Sequence, residues 1–547
     1  MSDHEPDPTH AGVSRRGFLG RSAATVGSLS RGGLASGAAG AEAAAQARLS
    51  GMNVVMFITD QERAIQHFPR GWAQRNLPGL TALQRNGITF DNAFTNSCMC
   101  SPARSTLMSG YFPAQHGVKY TLELDMSPPQ NPQVPLPTPD TLANIATVMS
   151  SAGYNVIYKG KFHCCKPAGA TWAPSDLANY GFSRWNPADA GADQSIPEMG
   201  GGLANNDGRF MTSVGDYTEG DEGALSFIRS AAAAEQPFFM IVSLVNPHDV
   251  LAYPRNAGNA GYSNEWLAGD IRLPLTEGED LRTKPSAQEE FLRIFNLTGK
   301  LKTRQQKLNY LNFYGNLMRA SDNYLVNLMA ALKSVKTGNR SRGPSLLDNT
   351  LIIRTSDHGE MGLAHGGLRQ KNFNFYEESL RVPLIYSNPR LYPKPLRSSA
   401  LVSHVDFLPT LAGLFGAPPA ARSAWQGRDY SKLVLNRSRA PVQDYIVFTF
   451  DDFQAGQATG PYVQPPQHIV SIREQRWKLA EYFDPRRRVR SQWEMYDLKH
   501  DPHEVRNLAR PGARRTATQE AQYQRLRAKL ERVQETRLQP LGPRVPA

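Results

Sequence analysis

Four stretches of the chain combine a continuous apolar run with a polar end. They are MNVVMFITD (52–60), NVIYKGKFH (155–163), PFFMIVSLVNPHD (237–249) and NTLIIRTSDHGE (349–360). Each run has the length of a β-strand, and continuous apolarity indicates burial on both faces, as in a parallel sheet. We therefore predict four buried strands that end in polar residues.

Segments with helical periodicity lie between these strands. They are PDTLANIATVMSSAGY (139–154), GALSFIRSAAAAE (223–235) and DNYLVNLMAALKSV (322–335). Alternating helices and strands are typical of an α/β fold with a doubly wound sheet. We expect helix over about 290–335, and VSHVDFLPTLAGLFGAPP (402–419) closes the main body as a helix that stops at Gly and Pro.

After about residue 440, the alternation of helices and buried strands gives way to a pattern of short strands. DYIVFTF (444–450), HIVSIREQRWKLAEY (468–482) and QWEMYDLKHDPHEVRNLA (492–509) predict short antiparallel strands, and a charged C-terminal helix follows. We therefore predict a main α/β domain over 48–438 and a smaller C-terminal subdomain, with a small antiparallel sheet and a helix, over 439–547.

Ionisable residues follow the carboxyl ends of the predicted strands. They are Asp60, Lys161, His163, His248, Asp357 and His358. In open α/β sheets ligands bind at this edge, and packing alone does not explain so many ionisable residues there. Two irregular regions, 175–220 and 252–290, are predicted to be long loops over the same edge, where they would form the walls of a substrate pocket.

The composition is that of a folded globular protein with a basic surface. Of 547 residues, 40% are hydrophobic and 20% are charged, and the formal net charge is +12. A positive net charge favours anionic substrates by electrostatic steering. The basic run DPRRRVR (484–490) is interpreted as a solvated loop, so we predict no nucleic-acid partner. No apolar run reaches about 18 residues, so we predict no stable membrane insertion.

The first residues, 1–47, are interpreted as a twin-arginine-type signal peptide. SRRGFLG (14–20) carries the paired arginines, and AAGAEAAAQA (38–47) ends in an A-x-A cleavage pattern. Arg21 and Arg31 interrupt the apolar region between them, so a disordered Ala/Gly-rich tail is the alternative. The signal predicts export by the Tat translocon to a periplasmic or extracellular location.

Four cysteines lie in two close pairs, Cys98/Cys100 and Cys164/Cys165. Neighbours this close form a disulfide only with strain, so we predict that the chain is not a disulfide scaffold. The sequence contains no C-x-x-C motif, which argues against a thiol–redox protein.

The stretch NSCMCSPARSTLMSG (96–110) predicts a helix that begins near Cys100. Pro102 suits the first helical turn and Gly110 supplies the stop, so Cys100 would lie where free N–H groups and the helix dipole stabilise an anion. Arg104 lies one turn further on the same face. An unmodified Cys100 would then have a lowered pKa and act as a thiolate nucleophile; the alternative is a buried packing cysteine.

The order Cys100-Ser101-Pro102-Ala103-Arg104 matches C-x-P-x-R, and on this motif the chain resembles the type I sulfatases. The resemblance continues through NVVMFITDQ (53–61), LMSGYFPAQHGV (107–118), YKGKFH (158–163), VSLVNPHD (242–249), TSDHGEMG (355–362) and WEMYDLKHDPHEVRNLA (493–509). It implies the alkaline-phosphatase-like fold: a large, mixed, mostly parallel sheet sandwiched by helices, with a smaller C-terminal α+β subdomain. Residues 48–438 would then be the catalytic domain.

In that family the motif cysteine is oxidised, so the resemblance implies that a formylglycine-generating enzyme converts Cys100 to formylglycine. It also implies one divalent metal, held by Asp60, Gln61, Asp357 and His358 together with residue 100. Carboxylate and amide oxygens suit Ca²⁺, which we expect, whereas the imidazole makes Mn²⁺ the alternative. The Gln61 and His358 combination resembles a branch that includes choline sulfatases and phosphonate monoester hydrolases.

The activity implied by the resemblance is hydrolysis of sulfate esters through a covalent sulfo-enzyme intermediate. The formylglycine hydrate, deprotonated beside the metal and Asp357, would attack sulfur. Arg104 and Lys161 would neutralise the sulfuryl oxygens and hold the hydrate.

The resemblance also assigns proton-transfer roles. His163 would be the base that triggers sulfate release, and His248 and Lys371 would bind ester oxygens and protonate the leaving alcohol. Arg369 is a nearby competitor for the role of Lys371. Three further histidines near these segments are treated as supporting or structural: His116, His365 and His404.

The substrate is expected to be an anionic small-molecule or glycan sulfate ester. Two other functions stay open. A phosphonate monoester or phosphodiester hydrolase would use the same nucleophile and metal on phosphorus. An inactive protein that binds sulfated glycans would suit the basic surface, although the complete set of expected catalytic residues argues against it.

Overall fold

The computed structural model describes residue 49 and residues 51–122, 143–230, 232–297, 299–337, 343–417, 425–436, 438–457 and 460–540. The expected signal peptide, 1–47, lies outside the described residues. Within the described part of the chain, no helix is both long enough and apolar enough to cross a membrane.

Seven strands form one mixed sheet. They are β1 (Asn53–Thr59), β2 (Gly87–Phe94), β3 (Asn155–Gly160), β4 (Phe238–Ser243), β5 (Thr350–Ser356), β6 (Leu384–Ser387) and β7 (Leu396–Ser403). Their order is β3-β4-β1-β5-β6-β2-β7. β6 pairs antiparallel with β5 and β2, and the other pairs are parallel. The expected large, mostly parallel sheet is confirmed, and the four strands predicted from the sequence are β1, β3, β4 and β5.

The described helices lie on the two faces of this sheet or pack on the C-terminal part of the chain. They are α1 (Trp72–Asn76), α2 (Pro78–Arg85), α3 (Cys100–Ser109), α4 (Pro113–His116), α5 (Ile145–Ser151), α6 (Ser175–Ala178), α7 (Asn206–Thr212), α8 (Ala224–Arg229), α9 (Ala232–Glu235), α10 (Ser286–Leu297), α11 (Arg304–Ser334), α12 (Glu377–Leu380), α13 (Phe407–Phe415), α14 (Ser431–Val434) and α15 (Ala517–Arg537). Short 3₁₀ turns lie at Ile196–Glu198, His248–Ala252, Asn264–Leu267, Leu281–Thr283, Leu346–Asn349 and His404–Asp406, and a further turn lies at Ala364–Gly367.

Two apolar cores, one on each face, hold the sheet between the helices. Along β1, Met56 and Ile58 belong to one core, and Val55 and Phe57 belong to the other. The first core contains side chains of α3, α5 and α13, and the second contains side chains of α2, α8 and α11. Since both faces of β1 are buried, its sequence is a continuous apolar run rather than an alternating one.

The C-terminal part contains a separate antiparallel sheet. Its strands are β8 (Tyr445–Phe450), β9 (His468–Glu474), β10 (Trp477–Phe483) and β11 (Gln492–Asp497), in the order β11-β10-β9-β8. One face packs on α15 through Leu526, Leu530 and Val533, and the other face packs with side chains of α10. The expected antiparallel sheet and C-terminal helix are confirmed, while the domain boundary after residue 438 stays a prediction.

Helix bounds differ from the sequence prediction in four places. The helix expected over 223–235 is two short helices, α8 and α9. Of the helix expected over 402–419, the described α-helix is α13, while residues 402–403 are the end of β7. Of the helix expected over 139–154, the described part is α5, which begins after Asn144, and residues 139–142 lie outside the described residues. The helix expected over about 290–335 is two helices, α10 and α11. The second helix begins at its own cap, because the side chain of Thr303 accepts the backbone N–H of Gln306 at 3.1 Å.

Gly160, the last residue of β3, provides a test of this packing. Its φ is +108°, and an added Cβ would collide with the carbonyl oxygen of Ser243 on β4. Gly160→Ala should lower the free energy of unfolding by clearly more than the roughly 1–3 kcal/mol that a positive φ alone costs. Gly153→Ala is the matched control, since its φ is +87° but its Cβ meets open space. Equal losses in denaturant unfolding would contradict the packing described.

Candidate active site and metal centre

The carboxyl ends of four adjacent strands bring the sequence-predicted residues together. β3, β4, β1 and β5 are neighbours in the sheet. The residues that follow them are Asp60 after β1, Lys161 and His163 after β3, His248 after β4, and Asp357 and His358 after β5, and none is more than 6% exposed. The edge of the sheet therefore holds a buried, highly polar cluster.

Cys100 lies inside this cluster as the first residue of α3. Met99 before it has a φ of 76°, and Gly110 ends the helix with a φ of 71°. Cys100 Sγ lies 3.6 Å from Asp60 Oδ1 and 3.4 Å from His358 Nε2. The predicted helix that begins at the cysteine is confirmed, and it carries the sulfur atom to the edge of the sheet.

Arg104 and Lys161 compensate the charge of two aspartates. Arg104 Nε donates to Asp357 Oδ2 at 2.9 Å, and its Nη2 donates to Asp60 Oδ2 at 3.2 Å. Lys161 Nζ lies 2.6 Å from the same Asp60 oxygen. All four side chains are fully buried. Buried charges persist only when they are paired in this way.

The two carboxylates have pKa values that move in opposite directions. Burial alone would raise the pKa of Asp60, but the surrounding cations, Lys161 foremost, outweigh it and hold that pKa well below its usual value. Burial and the neighbouring Asp60 charge raise the pKa of Asp357 to about 7. Two adjacent buried carboxylates disfavour each other's ionisation, so an added cation would allow both to ionise.

His358 directs a lone pair at the same point. Its Nδ1 lies 3.1 Å from the carbonyl oxygen of Gly359. Because a carbonyl only accepts, Nδ1 carries the proton and Nε2 is free to bind a metal. Burial and the charge of Lys371 lower the pKa of His358 well below its usual value, which keeps the ring neutral.

Together these side chains fit a divalent cation. One ligand atom from each of Asp60, Cys100, Asp357 and His358 lies within 4.8 Å of the others. Two carboxylates and a neutral imidazole whose second nitrogen donates to a carbonyl are a common metal-binding set in proteins. The donor types are compatible with Ca²⁺ and with Mn²⁺.

Gln61 is bound at both ends of its side-chain amide. Its Nε2 donates to Glu360 Oε2 at 2.6 Å, and its Oε1 accepts from Lys371 Nζ at 2.7 Å. The backbone carbonyl of Gln61 accepts from Tyr314 Oη at 2.7 Å, and its φ is 65°. Lys371 therefore contacts Gln61, one of the predicted metal ligands, and lies at the site as expected from the sequence. Glu360 and Tyr314 were not identified from the sequence, although Glu360 follows His358 by two positions within a motif already singled out.

The loop after β3 is fixed by a residue that the sequence analysis missed. Asp189 accepts the backbone N–H of His163 at 2.7 Å, and Lys161 Nζ also donates to the carbonyl of Gly191. His163 Nε2 lies 3.0 Å from the carbonyl of Leu122, while its Nδ1 has no hydrogen-bond partner among the described residues. Burial and the charge of Lys161 lower the pKa of His163 well below its usual value. His163 is therefore a neutral ring with one free nitrogen.

The prediction of a thiolate at Cys100 is wrong. Burial, followed by the negative charge of Asp60, raises the pKa of the Cys100 thiol to about 12. Lys161 and Lys371 act in the opposite direction and do not compensate. A helix N-terminus lowers a thiol pKa only where it outweighs desolvation, and here the thiol is buried beside a carboxylate. The unmodified side chain is a poor nucleophile.

A cavity of about 540 Å³ is lined by Cys100, His248 and Lys371. Residues 192–195 and 255–256, from the two predicted loop regions, form part of its wall, as expected. A larger cavity of about 1120 Å³ lies beside β7 and is lined by other residues. Of these two cavities, the smaller one is lined by predicted site residues.

An aromatic wall of this cavity was not predicted. It consists of Phe291 and Phe295 from α10 and Tyr462 from the segment between β8 and β9. The rings of Phe291 and Phe295 stack with centroids 5.6 Å apart, and Tyr462 lies 5.8 Å from Phe291. The C-terminal part of the chain therefore contributes to the pocket, which no local pattern in the sequence indicates.

Several residues to which the sequence analysis gave no definite role have structural roles. His116 Nε2 lies 3.0 Å from Thr106 Oγ1, and its Nδ1 accepts the backbone N–H of Val118. His365 pairs with Glu279 at 2.7 Å. Three cysteines are buried and free, as expected of a chain without a disulfide scaffold: Cys98, Cys164 and Cys165.

His404 and Arg369 also lie outside the donor cluster, which is the group of Asp60, Cys100, Asp357 and His358. Burial lowers the pKa of the His404 ring to about 3. The Arg369 guanidinium lies 4.4 Å from the ring centroid of Phe295 and donates to Asn296. Lys371, not Arg369, is therefore the cation that contacts Gln61.

Comparison with known proteins identifies two family models along the chain. The sulfatase model matches residues 52–417, and the model of the C-terminal part of N-sulphoglucosamine sulphohydrolase matches residues 365–536. The first match covers the α/β sheet and the donor cluster, and the second covers the antiparallel sheet and most of α15.

Curated relatives are distant in sequence but similar in extent. An ulvan-active sulfatase of Formosa agariphila is 24% identical over 75% of this chain and 70% of its own length. A choline-sulfatase of Rhizobium meliloti is 26% identical over 84% of this chain and 82% of its own length.

Solved structures share the fold. A 2-O GAG sulfatase has a TM-score of 0.62 at 18% identity, covering 89% of this chain and 92% of that one. A phosphonate monoester hydrolase of Agrobacterium radiobacter has a TM-score of 0.59 at 19% identity, covering 89% and 96%. These similarities show the expected architecture and, at such identities, nothing about the substrate.

The donor cluster predicts stabilisation by a divalent cation. Ca²⁺ or Mn²⁺ added to chelator-treated protein should raise the Tm, because a ligand at a hundred times its Kd stabilises the folded state by about 2.7 kcal/mol. Asp357→Asn should lose most of that rise, since it removes one of the two carboxylate ligands. Differential scanning calorimetry measures both.

Asp322→Asn is the control for this experiment. Asp322 is a buried aspartate outside the site that accepts the backbone N–H groups of Gly79 and Leu80, each at 2.7 Å. The variant should be less stable than the wild type but keep the full metal-dependent rise in Tm. An undiminished rise in Asp357→Asn would show that the cation binds elsewhere.

Proposed function

The chain belongs to the sulfatase family and is a sulfuric ester hydrolase, and we propose that its nucleophile is a formylglycine made from Cys100. One observation carries this proposal. Cys100, within the C-x-P-x-R motif, begins a helix whose first side chain lies inside a cluster of two aspartates and a histidine. Burial, followed by the charge of Asp60, raises the pKa of the Cys100 thiol to about 12, which supports conversion of this residue as the source of the nucleophile.

Asp60, Asp357 and His358 would hold a divalent cation beside residue 100, with the oxygen of Gln61 as a further ligand. Formylglycine would supply a hydrated aldehyde with two hydroxyl groups on one carbon, and the cation would supply positive charge at the sulfate oxygens. The expected ion is Ca²⁺, with Mn²⁺ as the alternative.

Arg104 and Lys161 would neutralise the negative charge that enters with the sulfate group. Both already lie against the aspartates, so their positive ends are fixed before a substrate arrives. Preorganised charge of this kind stabilises a transition state without a reorganisation cost. Arg104 also donates to the carbonyl oxygen of Lys161 at 2.8 Å, which joins the two groups.

His163 presents a ring nitrogen, Nδ1, without a hydrogen-bond partner among the described residues. The ring itself is neutral. We assign His163 the role of the base that removes a proton from residue 100 during sulfate release. His248 and Lys371, which line the cavity, would contact the ester oxygens and deliver a proton to the leaving alcohol.

The cavity supports a glycan sulfate ester as the substrate. Its volume is that of a pocket for a sizeable organic group, and one wall is aromatic, which suits the apolar face of a sugar ring. The cavity is also lined by two cations, Arg255 and Lys371, and one carboxylate, Asp193, a balance that favours an anionic substrate. Two relatives are named as an ulvan-active sulfatase and a Δ4,5-hexuronate-2-O-sulfatase.

A phosphonate monoester or phosphodiester hydrolase is the second candidate. The observation that favours it is the aspartate pair with Gln61 and His358, since the same charge and nucleophile would act on phosphorus. A phosphonate monoester hydrolase is also among the structures with the same fold. An inactive glycan-binding protein is the third candidate, and turnover of any sulfate ester by the matured protein would exclude it.

We further propose that residues 1–47 export the folded enzyme through the Tat translocon to the periplasm or beyond. The paired Arg15 and Arg16 and the small-residue tract up to Ala47 support this. Twin-arginine export carries folded proteins, so cysteine conversion and metal loading would both precede it.

Cys100→Ala tests the nucleophile. Turnover of an aryl sulfate should be lost, whereas the Tm should stay close to the wild-type value because the substitution removes a single buried sulfur atom. Cys98→Ala is the matched control: its sulfur is equally buried but bonds to the carbonyl of Ser379, and the variant should keep its activity. Persistent turnover in Cys100→Ala would contradict the mechanism.

Parallel assays separate the two hydrolase candidates. The matured enzyme should have a higher kcat/KM for an aryl sulfate than for an aryl phosphonate monoester or a phosphodiester with the same leaving group. The reverse order would favour the phosphorus substrates and contradict the assignment as a sulfatase.

Replacing both Arg15 and Arg16 by Lys tests export. The full-length precursor should accumulate in the cytoplasm, because twin-arginine signals require that pair. Arg21→Lys is the control, since Arg21 lies outside the pair, and it should be exported normally. Immunoblots of periplasmic and cytoplasmic fractions measure the outcome, and equal export of all three proteins would contradict the proposal.

A further inference from the structure

Glu360, Gln61 and Lys371 form a buried row beside the donor cluster. Glu360 Oε2 accepts from Gln61 Nε2 at 2.6 Å, and Gln61 Oε1 accepts from Lys371 Nζ at 2.7 Å. Glu360 and Gln61 are fully buried, and Lys371 is 2% exposed. Bulk solvent is therefore largely excluded from both contacts.

The chemistry at the two ends fixes the orientation of the amide between them. An ionised carboxylate only accepts hydrogen bonds, and an ammonium only donates them. If the Gln61 amide flipped, its oxygen would face the Glu360 carboxylate and its NH₂ would face the Lys371 ammonium. Both contacts would then be repulsive, so only one orientation is compatible with these neighbours.

Glu360 is itself held in place from several sides. Its Oε1 accepts from Tyr310 Oη at 2.7 Å and from the backbone N–H groups of Gln370 at 3.0 Å and Gly362 at 3.1 Å. Tyr314, one turn after Tyr310 on α11, donates to the backbone carbonyl of Gln61 at 2.7 Å. The helix thus supports both the carboxylate and the backbone of the residue that it orients.

We propose that Glu360 is a positioning residue that keeps the Gln61 amide oxygen turned toward Lys371 and the cation site. The proposal rests on the proposed function in taking Gln61 as a metal ligand and Lys371 as an oxygen-binding group. Without the carboxylate, the amide would be free to rotate and present its NH₂ group to both cations. Loss of a residue that orients a metal ligand typically costs about 10–100-fold in metal affinity.

Glu360→Gln is the first test. The new amide can donate to Gln61 Oε1 and so stabilise the flipped orientation. In chelator-treated protein, the free Ca²⁺ or Mn²⁺ concentration that half-saturates the site, measured by isothermal titration calorimetry, should increase about tenfold or more. An unchanged concentration would overturn the proposal.

The exchanged pair, Gln61→Glu with Glu360→Gln, is the decisive test. Donor and acceptor trade places: the amide of residue 360 donates to the carboxylate of residue 61, whose second oxygen accepts from Lys371. The double variant should regain most of the affinity lost in Glu360→Gln. A purely structural role of Glu360 predicts no such recovery, so equal weakness of the single and double variants would overturn the proposal.

Gln61→Glu alone keeps the test valid if Glu360→Gln fails to fold. It sets two carboxylates against each other in a buried place, which destabilises the pair. Adding Glu360→Gln to this background should strengthen metal binding, although the same substitution weakens it when residue 61 is Gln. Weaker or equal binding after the addition would overturn the proposal.

A matched control exists in the C-terminal part of the chain. Glu494 is buried, accepts from Gln288 Nε2 at 2.9 Å and accepts from Tyr482 Oη at 2.7 Å, so it repeats the glutamate–glutamine–tyrosine arrangement away from the site. Glu494→Gln should lower the Tm without changing the metal concentration at half-saturation. If Glu494→Gln changed this metal concentration as much as Glu360→Gln does, the loss of metal affinity would reflect general destabilisation. That result would overturn the proposal.

These readouts are separate from the sulfatase assignment. Metal affinity is measured without turnover, so a wild-type protein that binds the cation but cleaves no sulfate ester would contradict the proposed function alone. A wild-type protein that cleaves sulfate esters and whose exchanged pair shows no recovery of metal affinity would contradict the role of Glu360 alone.

Discussion

The site depends on two carboxylates, Asp60 and Asp357, that are fully buried beside each other. Their charges repel, and the chain opposes that repulsion with Arg104 and Lys161, which contact them at 2.6–3.2 Å. Even so, the pKa of Asp357 is raised to about 7 by burial and by the charge of its neighbour. Because the repulsion between the two carboxylates is only partly compensated, the site is suited to a divalent cation. The sulfur of Cys100 lies within 4.8 Å of ligand atoms of Asp60, Asp357 and His358.

The parallel sheet makes this arrangement possible at low cost. Adjacent parallel strands end at one edge, so side chains that are far apart in sequence meet there. The backbone then turns sharply: Gln61, Met99 and His163 all have positive φ values, of 65°, 76° and 52°. Such conformations are unfavourable for residues with a side chain, and they persist at functional sites because the surrounding contacts enforce them. Here Asp189 supplies such a contact to the backbone of His163, and Tyr314 supplies one to the backbone of Gln61.

Sequence alone predicted the parts of the structure that depend on local patterns. Continuous apolar runs identified β1, β3, β4 and β5, and polar residues at their ends identified the site. β2, β6 and β7 were not recognised. In β7 the first half alternates between exposed and partly buried positions at the edge of the sheet. The aromatic wall and Asp189 were missed since they reach the site through tertiary contacts. The pKa of Cys100 was predicted with the wrong sign because helix position is visible in a sequence and burial beside Asp60 is not.

The central claim is that the buried aspartates hold a divalent cation against a modified residue 100. Anomalous diffraction from crystals of protein made together with a formylglycine-generating enzyme tests it most directly. The account predicts one anomalous peak bonded to Asp60, Asp357 and His358, with density for an aldehyde hydrate at position 100. Catalytically active crystals that show an intact thiol there, or no cation between the two carboxylates, would contradict it.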